Sequence, residues 1–226
     1  MVGSNLMSGL TPELVSPIFA AIDCGTNAIR LLIARVDGDH VTELVREMRT
    51  VRLGEGVDTT GEFSEAALER TFAAAREYAE LLSNYDVKKI RFIATSASRD
   101  VTNRDAFSAG IKTILGVEPE VISGDEEADL SYRGALSGLD EKGSVLVADI
   151  GGGSTEFVTA LPNGSLVSRS VNIGCVRMTE RHLHSDPPTQ PEITSAVSDI
   201  DHHIEDAHHL HTVFRSAYAA MEQHVR

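Results

Sequence analysis

The sequence predicts an α/β protein built from two related halves, and three observations carry that prediction. Strand-length apolar runs alternate with helical ones from residue 18 to Ser123. Near residue 145 an order of strand, glycine turn, strand, turn and strand begins again. Both openings hold related turns, Asp23-Cys24-Gly25-Thr26 and Asp149-Ile150-Gly151-Gly152, whose aspartates lie 126 positions apart at the exits of apolar strands, as in a duplicated unit. A chain of 226 residues with 42% apolar and 24% charged side chains is long enough for two modest cores.

Residues 1–17 mix Gly, Ser, Asn and Pro without period and read as a flexible leader. The stretch from Ile18 to Gly54 holds three apolar runs, turning at residues 23–27 and 37–39, a three-stranded antiparallel meander. Leu68, Phe72, Ala75, Ala79 and Leu82 then step by four and three, a helix with one buried face capped by Ser64. KKIRFIATSASRD predicts a short buried strand running into a polar loop, RDAFSAGIKTILG a helix closed by Gly116, and PEVIS a last strand. These elements make an N-terminal domain over 18–124 in the order β-β-β-α-β-α-β. A bridging helix from about Gly124 to Ser137 opens a second domain over 125–226, and a second meander follows it. CVRMTERHLH reads as helix, Pro187-Pro188 as a break, and the stretch from about Pro191 as a long polar helix. A full repeat of the first half would need two more strands, so the second domain reads as lacking its last strands, through truncation or a missing internal piece.

Composition narrows the class. No apolar run approaches the roughly 20 residues of a bilayer-spanning helix, and the first residues show no signal pattern, which predicts a cytoplasmic protein without membrane contact. Cys24 and Cys175 are the only cysteines and suggest neither a disulfide nor a metal site. A net charge of −14 disfavours nucleic acid as a partner. It repels any polyanionic substrate as well, unless a cleft is locally positive or metal-loaded. The histidines at 202, 203, 208, 209 and 211 read as a solvated helix face, because adjacent residues on a helix point in different directions and no His-Glu-x-x-His set appears.

The sharpest chemical feature is Asp149-Ile-Gly-Gly-Gly-Ser-Thr-Glu156. Gly151, Gly152 and Gly153 allow close backbone approach to an anion, and Ser154 and Thr155 add hydroxyl donors. Asp149 and Glu156 at its ends suit a hard cation such as Mg²⁺. A tight hairpin with glycine at positive φ would select similar residues. The Asp23 to Asn27 loop, with Gly25 and Thr26, is an ordinary turn by itself, but facing the second loop it would grip a phosphate chain from the other side. Arg30 either adds charge there or is a solvated strand residue. Arg99, after a strand end where open sheets place ligands, either neutralises phosphate or is exposed while Ser98 or Asp100 caps the next helix. Ser123 and Glu126 fit a capping box, which leaves Glu127, rotated by about 100° on the helix, free to face a cleft as general base.

In their order these motifs (IDCGTNAIRLLIA, RLGEGVD, IATSASRD, VISGDEEA, VADIGGGSTEF and NIGCVRMTE) resemble the exopolyphosphatase and guanosine pentaphosphate phosphohydrolase family, a branch of the actin, sugar-kinase and Hsp70 superfamily, from about Phe19 to His182. The resemblance implies two ribonuclease-H-like, actin-like domains with mixed five-stranded sheets and a cleft between them. It implies Mg²⁺-dependent hydrolysis of a terminal phosphoanhydride with Glu127 as base, Asp149 and Glu156 on metal-linked waters, and phosphate contacts from Asp23, Gly25, Thr26, Asn27, Arg99 and residues 151–155. The sequence departs from the family in having no Gly-x-Ala-Gly-Thr loop between Gly174 and Arg226, and in lacking the extra C-terminal domains of the longest members. Inorganic polyphosphate is the favoured substrate, since no nucleotide signature is visible and aromatic residues are only 5% of the chain. The guanosine pentaphosphate pppGpp, a non-catalytic polyphosphate or alarmone regulator, and a kinase-like transferase are the alternatives. A homodimer is compatible with all of them.

Overall fold

Strand β1 (Ile18–Cys24) lies at the centre of a sheet because its alternate side chains Ala20, Ile22 and Cys24 are buried, the period of a strand with one face in a core. The computed structural model describes residues 16–138, 145–161 and 163–205. β1 pairs antiparallel with β2 (Ala28–Asp37), and β2 with β3 (His40–Thr50), the expected meander. The other side of β1 carries β4 (Val87–Ala94) in parallel, and β4 carries β5 (Glu120–Val121), so the mixed sheet runs β3-β2-β1-β4-β5. This register places Cys24 beside Ala94, so the loops leaving β1 and β4 emerge together at one edge, where open sheets hold ligands. One expectation is corrected here: β4 fully buries only Phe92 and Ala94 while Lys88 and Lys89 stay exposed. The expected PEVIS strand is present as β5, paired with β4 through two residues.

Helix α1 (Val57–Thr60) is a single turn between Gly56 and Gly61, both in the left-handed region. Helix α2 (Glu65–Leu82) starts as expected, with the Ser64 hydroxyl accepting from the Ala67 amide at 3.1 Å. Its buried face keeps only part of the apolar stripe: Ala75 and Leu82 are buried as expected, together with Ala67, Thr71, Ala74 and Tyr78, whereas Leu68, Phe72 and Ala79 are only partly so. The physical reason is polar satisfaction. Thr71 donates to the Ala67 carbonyl at 2.8 Å and the Tyr78 hydroxyl to the Ile29 carbonyl at 2.9 Å, so both polar groups enter the core without an unpaired donor. Leu68 and Phe72 flank that face. The expected polar loop after β4 is instead one helical turn, α3 (Ser96–Arg99), with Ser96, Ala97 and Ser98 buried. Neither Ser98 nor Asp100 caps the next helix, α4 (Arg104–Leu115). Asn103 precedes it without a side-chain cap and spends its amide on the backbone of Phe63 at 2.9 Å in both directions. Gly116 ends α4 in the left-handed region, as predicted.

The second half repeats the opening. Helix α5 (Gly124–Leu136) packs on a sheet of β6 (Leu146–Ile150), β7 (Thr155–Ala160) and β8 (Leu166–Val171), ordered β6-β7-β8 and antiparallel throughout. Ala128, Tyr132 and Val158 form its core. Helix α6 (Cys175–His182) buries Met178 against Val171 and Ile173, and residues 190–205 are helical, with Ile200 on the same cluster. Among the described residues this sheet has three strands, and β6 pairs only with β7. Leu146 and Ile150 on it are 60% and 74% exposed. Among the described residues no helix is long and apolar enough to cross a membrane. The Pro17 carbonyl accepts the Val36 amide at 3.0 Å, so the end of the expected leader is docked. The rest of that leader and His208, His209 and His211 lie outside the described residues. The α/β class stands, and the limits 18–124 and 125–226 are proposed as domain bounds.

α2 and α4 cross where Gly110 meets Phe72: a Cβ on Gly110 would lie 2.2 Å from the ring. Gly110→Ala should therefore cost about 1–3 kcal/mol by overpacking despite the better helix former, read as a lower urea midpoint, and adding Phe72→Leu should recover it. A stabilised Gly110→Ala would contradict this close approach.

Candidate active site

The site is built from backbone first. The Gly151 carbonyl accepts from Cys175 N at 3.0 Å, the Gly152 carbonyl from Val176 N at 2.9 Å and Arg177 N at 3.1 Å, and the Gly153 carbonyl from Arg177 Nε at 2.7 Å. α6 has no side-chain cap, so the glycine loop itself satisfies the donors that a helix start leaves open. Across a trans peptide the carbonyl and the next amide point in opposite directions. The N–H groups of Gly152, Gly153 and Ser154 are thus turned away from α6, and none has an acceptor among the described residues. The first loop is held likewise: Thr26 O accepts from Gly54 N at 2.8 Å, and Asn27 O from Val51 N and Arg52 N at 3.0 and 2.9 Å.

Residues 151–154 do close a tight hairpin between β6 and β7, with Gly151 N donating to Ser154 O at 2.9 Å, but none of Gly151, Gly152 and Gly153 has positive φ. What they require is the absence of a Cβ. One on Gly152 would lie 3.0 Å from Thr26 Cβ and 3.2 Å from Asn27 N, and one on Gly153 2.7 Å from Ser96 Oγ and 2.8 Å from Thr26 Oγ1. The two loops face each other in direct contact. The Thr26 hydroxyl is buried and, among the described residues, has no partner.

Between the loops lies a cavity of about 90 Å³ whose lining includes Asp23, Gly25, Thr26, Asn27, Glu127 and Asp149, together with residues 151–154 and Glu156. Eleven of the thirteen expected site residues are therefore brought together. Burial raises the Asp23 carboxyl above its usual range against the pull of Arg30, which donates to it at 3.0 Å. Of the two readings for Arg30, it is an exposed strand residue that also lines the cleft. Asp149 accepts from the Ser131 hydroxyl. Glu156 is fully buried, and burial raises its carboxyl although Ser170, at 2.7 Å, and Ser154 hydrogen-bond to it. Cys24, buried beneath the first loop, has its thiol pushed up by burial and is no nucleophile.

Glu127 reaches the cleft but is not free. Its Oε2 accepts from Arg99 Nη1 at 2.8 Å, and the nearby Thr95 joins Arg99 in drawing its carboxyl down. Burial, helped by the charge of Glu156, outweighs that pull and lifts the carboxyl to about 7, where a general base is most effective near neutrality. Two expected phosphate ligands sit elsewhere. The Arg99 guanidinium serves Glu127 and the Ile122 carbonyl, the latter at 3.1 Å, and the Thr155 hydroxyl donates to the Ile173 carbonyl at 2.7 Å. The capping box is half formed, because Ser123 accepts from Glu126 N at 3.2 Å while the Glu126 carboxylate pairs with Arg91 at 2.8 Å. Sequence reasoning missed Thr95, Ser96 and Arg177. The first two were hidden in a run read as a polar loop, and the third in a helix assigned no chemistry.

The family model for the Ppx/GppA phosphatase family matches residues 32–216. The chain is 50% identical over 187 residues to exopolyphosphatase 2 of Mycobacterium tuberculosis, covering 78% of this chain and 58% of that protein. It is 34% identical over 191 residues to guanosine-5'-triphosphate,3'-diphosphate pyrophosphatase of Photobacterium profundum, covering 84% of this chain and 38% of the other. A crystal structure of an exopolyphosphatase-like protein superposes with a TM-score of 0.82 at 51% identity, over 85% of this chain and 62% of that one. The chain thus spans less than two thirds of the length of these relatives. With a family match over most of its length and 50% identity to a relative over 187 aligned residues, the chain belongs to the Ppx/GppA phosphatase family.

Proposed function

We propose that the chain hydrolyses the terminal phosphoanhydride of inorganic polyphosphate, releasing orthophosphate. The observation that carries this is the cleft itself, where three amides without an acceptor among the described residues belong to a loop that lines the same cavity as a carboxylate lifted to about 7. The amides of Gly152, Gly153 and Ser154 bind the terminal phosphate, with the Thr26 hydroxyl and the Asn27 side of the first loop opposite. Ionised Glu127 takes the proton of a water whose oxygen attacks the terminal phosphorus as the bridging P–O bond breaks, and the shortened chain leaves with its charge. Arg99 aims the Glu127 carboxylate.

The same lining bears on the metal. Asp23, Glu127, Asp149 and Glu156 face one cavity whose only lining cation among the described residues is Arg30, already on Asp23, so the charge of these residues does not offset an incoming polyanion. No group of three or more metal-ligating side chains is close enough to cage an ion among the described residues. That suits Mg²⁺, which is commonly held by one or two carboxylates plus water and phosphate oxygens. Asp149 and Glu156 are the residues that would hold it. Bound there, it would neutralise phosphate charge and so admit the substrate. Polyphosphate is favoured over pppGpp because, among the described residues, no aromatic side chain lines the cleft to offer a base a stacking surface.

Phosphate release should appear with Mg²⁺ on polyphosphate and be weaker on pppGpp when the two are assayed side by side, and a chelator should abolish it. The opposite preference would move the reading to the pppGpp hydrolase. Glu127→Gln, which keeps the shape that receives Arg99, should lower kcat by at least about a hundredfold while polyphosphate binding persists; unchanged turnover would remove Glu127 as base. Since the base works ionised and its carboxyl sits near 7, kcat/KM should rise with pH and level off above that value. A flat profile from about pH 5.5 to 8.5 would count against this assignment.

A further inference from the structure

We infer that Arg177 is a positioning residue that sets the glycine loop in register with Glu127 across the cleft, an inference that rests on the proposed phosphate site. Its guanidinium is 11% exposed and every arm is used. Nε donates to the Gly153 carbonyl at 2.7 Å, Nη1 to Asp58, and Nη2 to Asp100 at 2.6 Å. One side chain of the second half therefore grips the phosphate loop with one nitrogen and two elements of the first half with the others.

Each anchor is placed to transmit position. Asp100 ends the α3 turn directly after Arg99, and Arg99 holds Glu127. A continuous path thus runs from Gly153 through Arg177, Asp100 and Arg99 to the base. Asp58 sits in the α1 turn and also takes two donors from Arg181, one of them at 2.9 Å. The hydrogen bond from Arg181, with the charges of both arginines, holds its carboxyl below the usual range. Glu180 completes the latch by accepting the Gly56 amide at 3.1 Å. Residues 177, 180 and 181 share one helical face, but only Arg177 touches the phosphate loop. Without its grip on the Gly153 carbonyl, the peptide between Gly153 and Ser154 can rotate, and the Ser154 amide loses its direction.

Lysine cannot reproduce this role, because an ammonium presents a point charge rather than a planar fork with fixed donors. Methionine removes the charge, yet Asp58 keeps Arg181 and Asp100 is 40% exposed, so neither carboxylate is left buried alone. Arg181→Met is the control, since it weakens the same latch without touching the loop.

The test is calorimetric binding of inorganic triphosphate, with Mg²⁺, to the wild-type chain and to Arg177→Met, Arg177→Lys and Arg181→Met, beside KM and kcat on polyphosphate. Losing one charge-assisted contact at the loop should weaken binding and raise KM about tenfold or more in Arg177→Met. Arg177→Lys should be intermediate. Arg181→Met should bind within about twofold of wild type even where its melting temperature falls as far, and the pH midpoint of Arg177→Lys should stay at the wild-type value because the Arg99–Glu127 pair is intact. Wild-type affinity in both Arg177 variants, or equal losses in Arg177 and Arg181 variants, would overturn the inference. If Arg177→Met does not fold, Arg177→Lys against Arg181→Met decides it. A wild-type chain that binds triphosphate with this pattern but releases no phosphate would refute the hydrolase reading and leave the role of Arg177 standing.

Discussion

The carbonyls of Gly151, Gly152 and Gly153 all turn to one side, where the first turn of α6 receives them, and the rest of the cleft depends on that arrangement. A helix start normally needs a capping side chain for its open donors. Here the loop serves as the cap and the helix serves as its clamp. Because each peptide is rigid and planar, fixing three carbonyls on one side fixes the following amides on the other. Gly174, at the junction, has no room for a side chain, since a Cβ there would lie 2.4 Å from the Gly152 carbonyl carbon.

Electrostatics make the cleft costly. Burial raises the carboxyls of Asp23, Glu127 and Glu156 at the same time, and a neighbouring carboxylate adds to each rise, Asp149 for Asp23 and Glu156, and Glu156 for Glu127. For Glu127 the shift from 4.5 to about 7 corresponds to roughly 3 kcal/mol. A carboxyl raised in the folded state stabilises the fold fully below its unfolded value, and that contribution is lost as pH rises through about 7. The chain holds Glu127, the proposed base, in a condition that would suit catalysis and opposes its own stability, a common pattern at sites that titrate near neutrality.

Local features were legible wherever one residue decides the outcome. Ser64 at the start of α2, Gly116 at the end of α4 and the two meanders follow from capping, left-handed glycine and period-two burial. Faces and partners were less legible. The buried side of α2 kept Ala75 and Leu82 but also took in Thr71 and Tyr78, which find acceptors that no apolar count can see. Glu126 left its expected cap for Arg91, a partner 35 positions away.

The sequence by itself determined the duplicated α/β plan, the two glycine-rich loops and the carboxylates that accompany them, since strand period, turn chemistry and repeated motif are written locally. Only the tertiary structure decided which way those groups face. It turned the glycine amides toward a cleft, assigned Arg99 to Glu127 rather than to the cavity lining, withdrew the Thr155 hydroxyl to Ile173, and introduced Arg177 between the halves. These outcomes depend on contacts between residues 18 to 119 positions apart, and on burial, which sets the protonation of Glu127; neither quantity is encoded in a window of neighbouring residues.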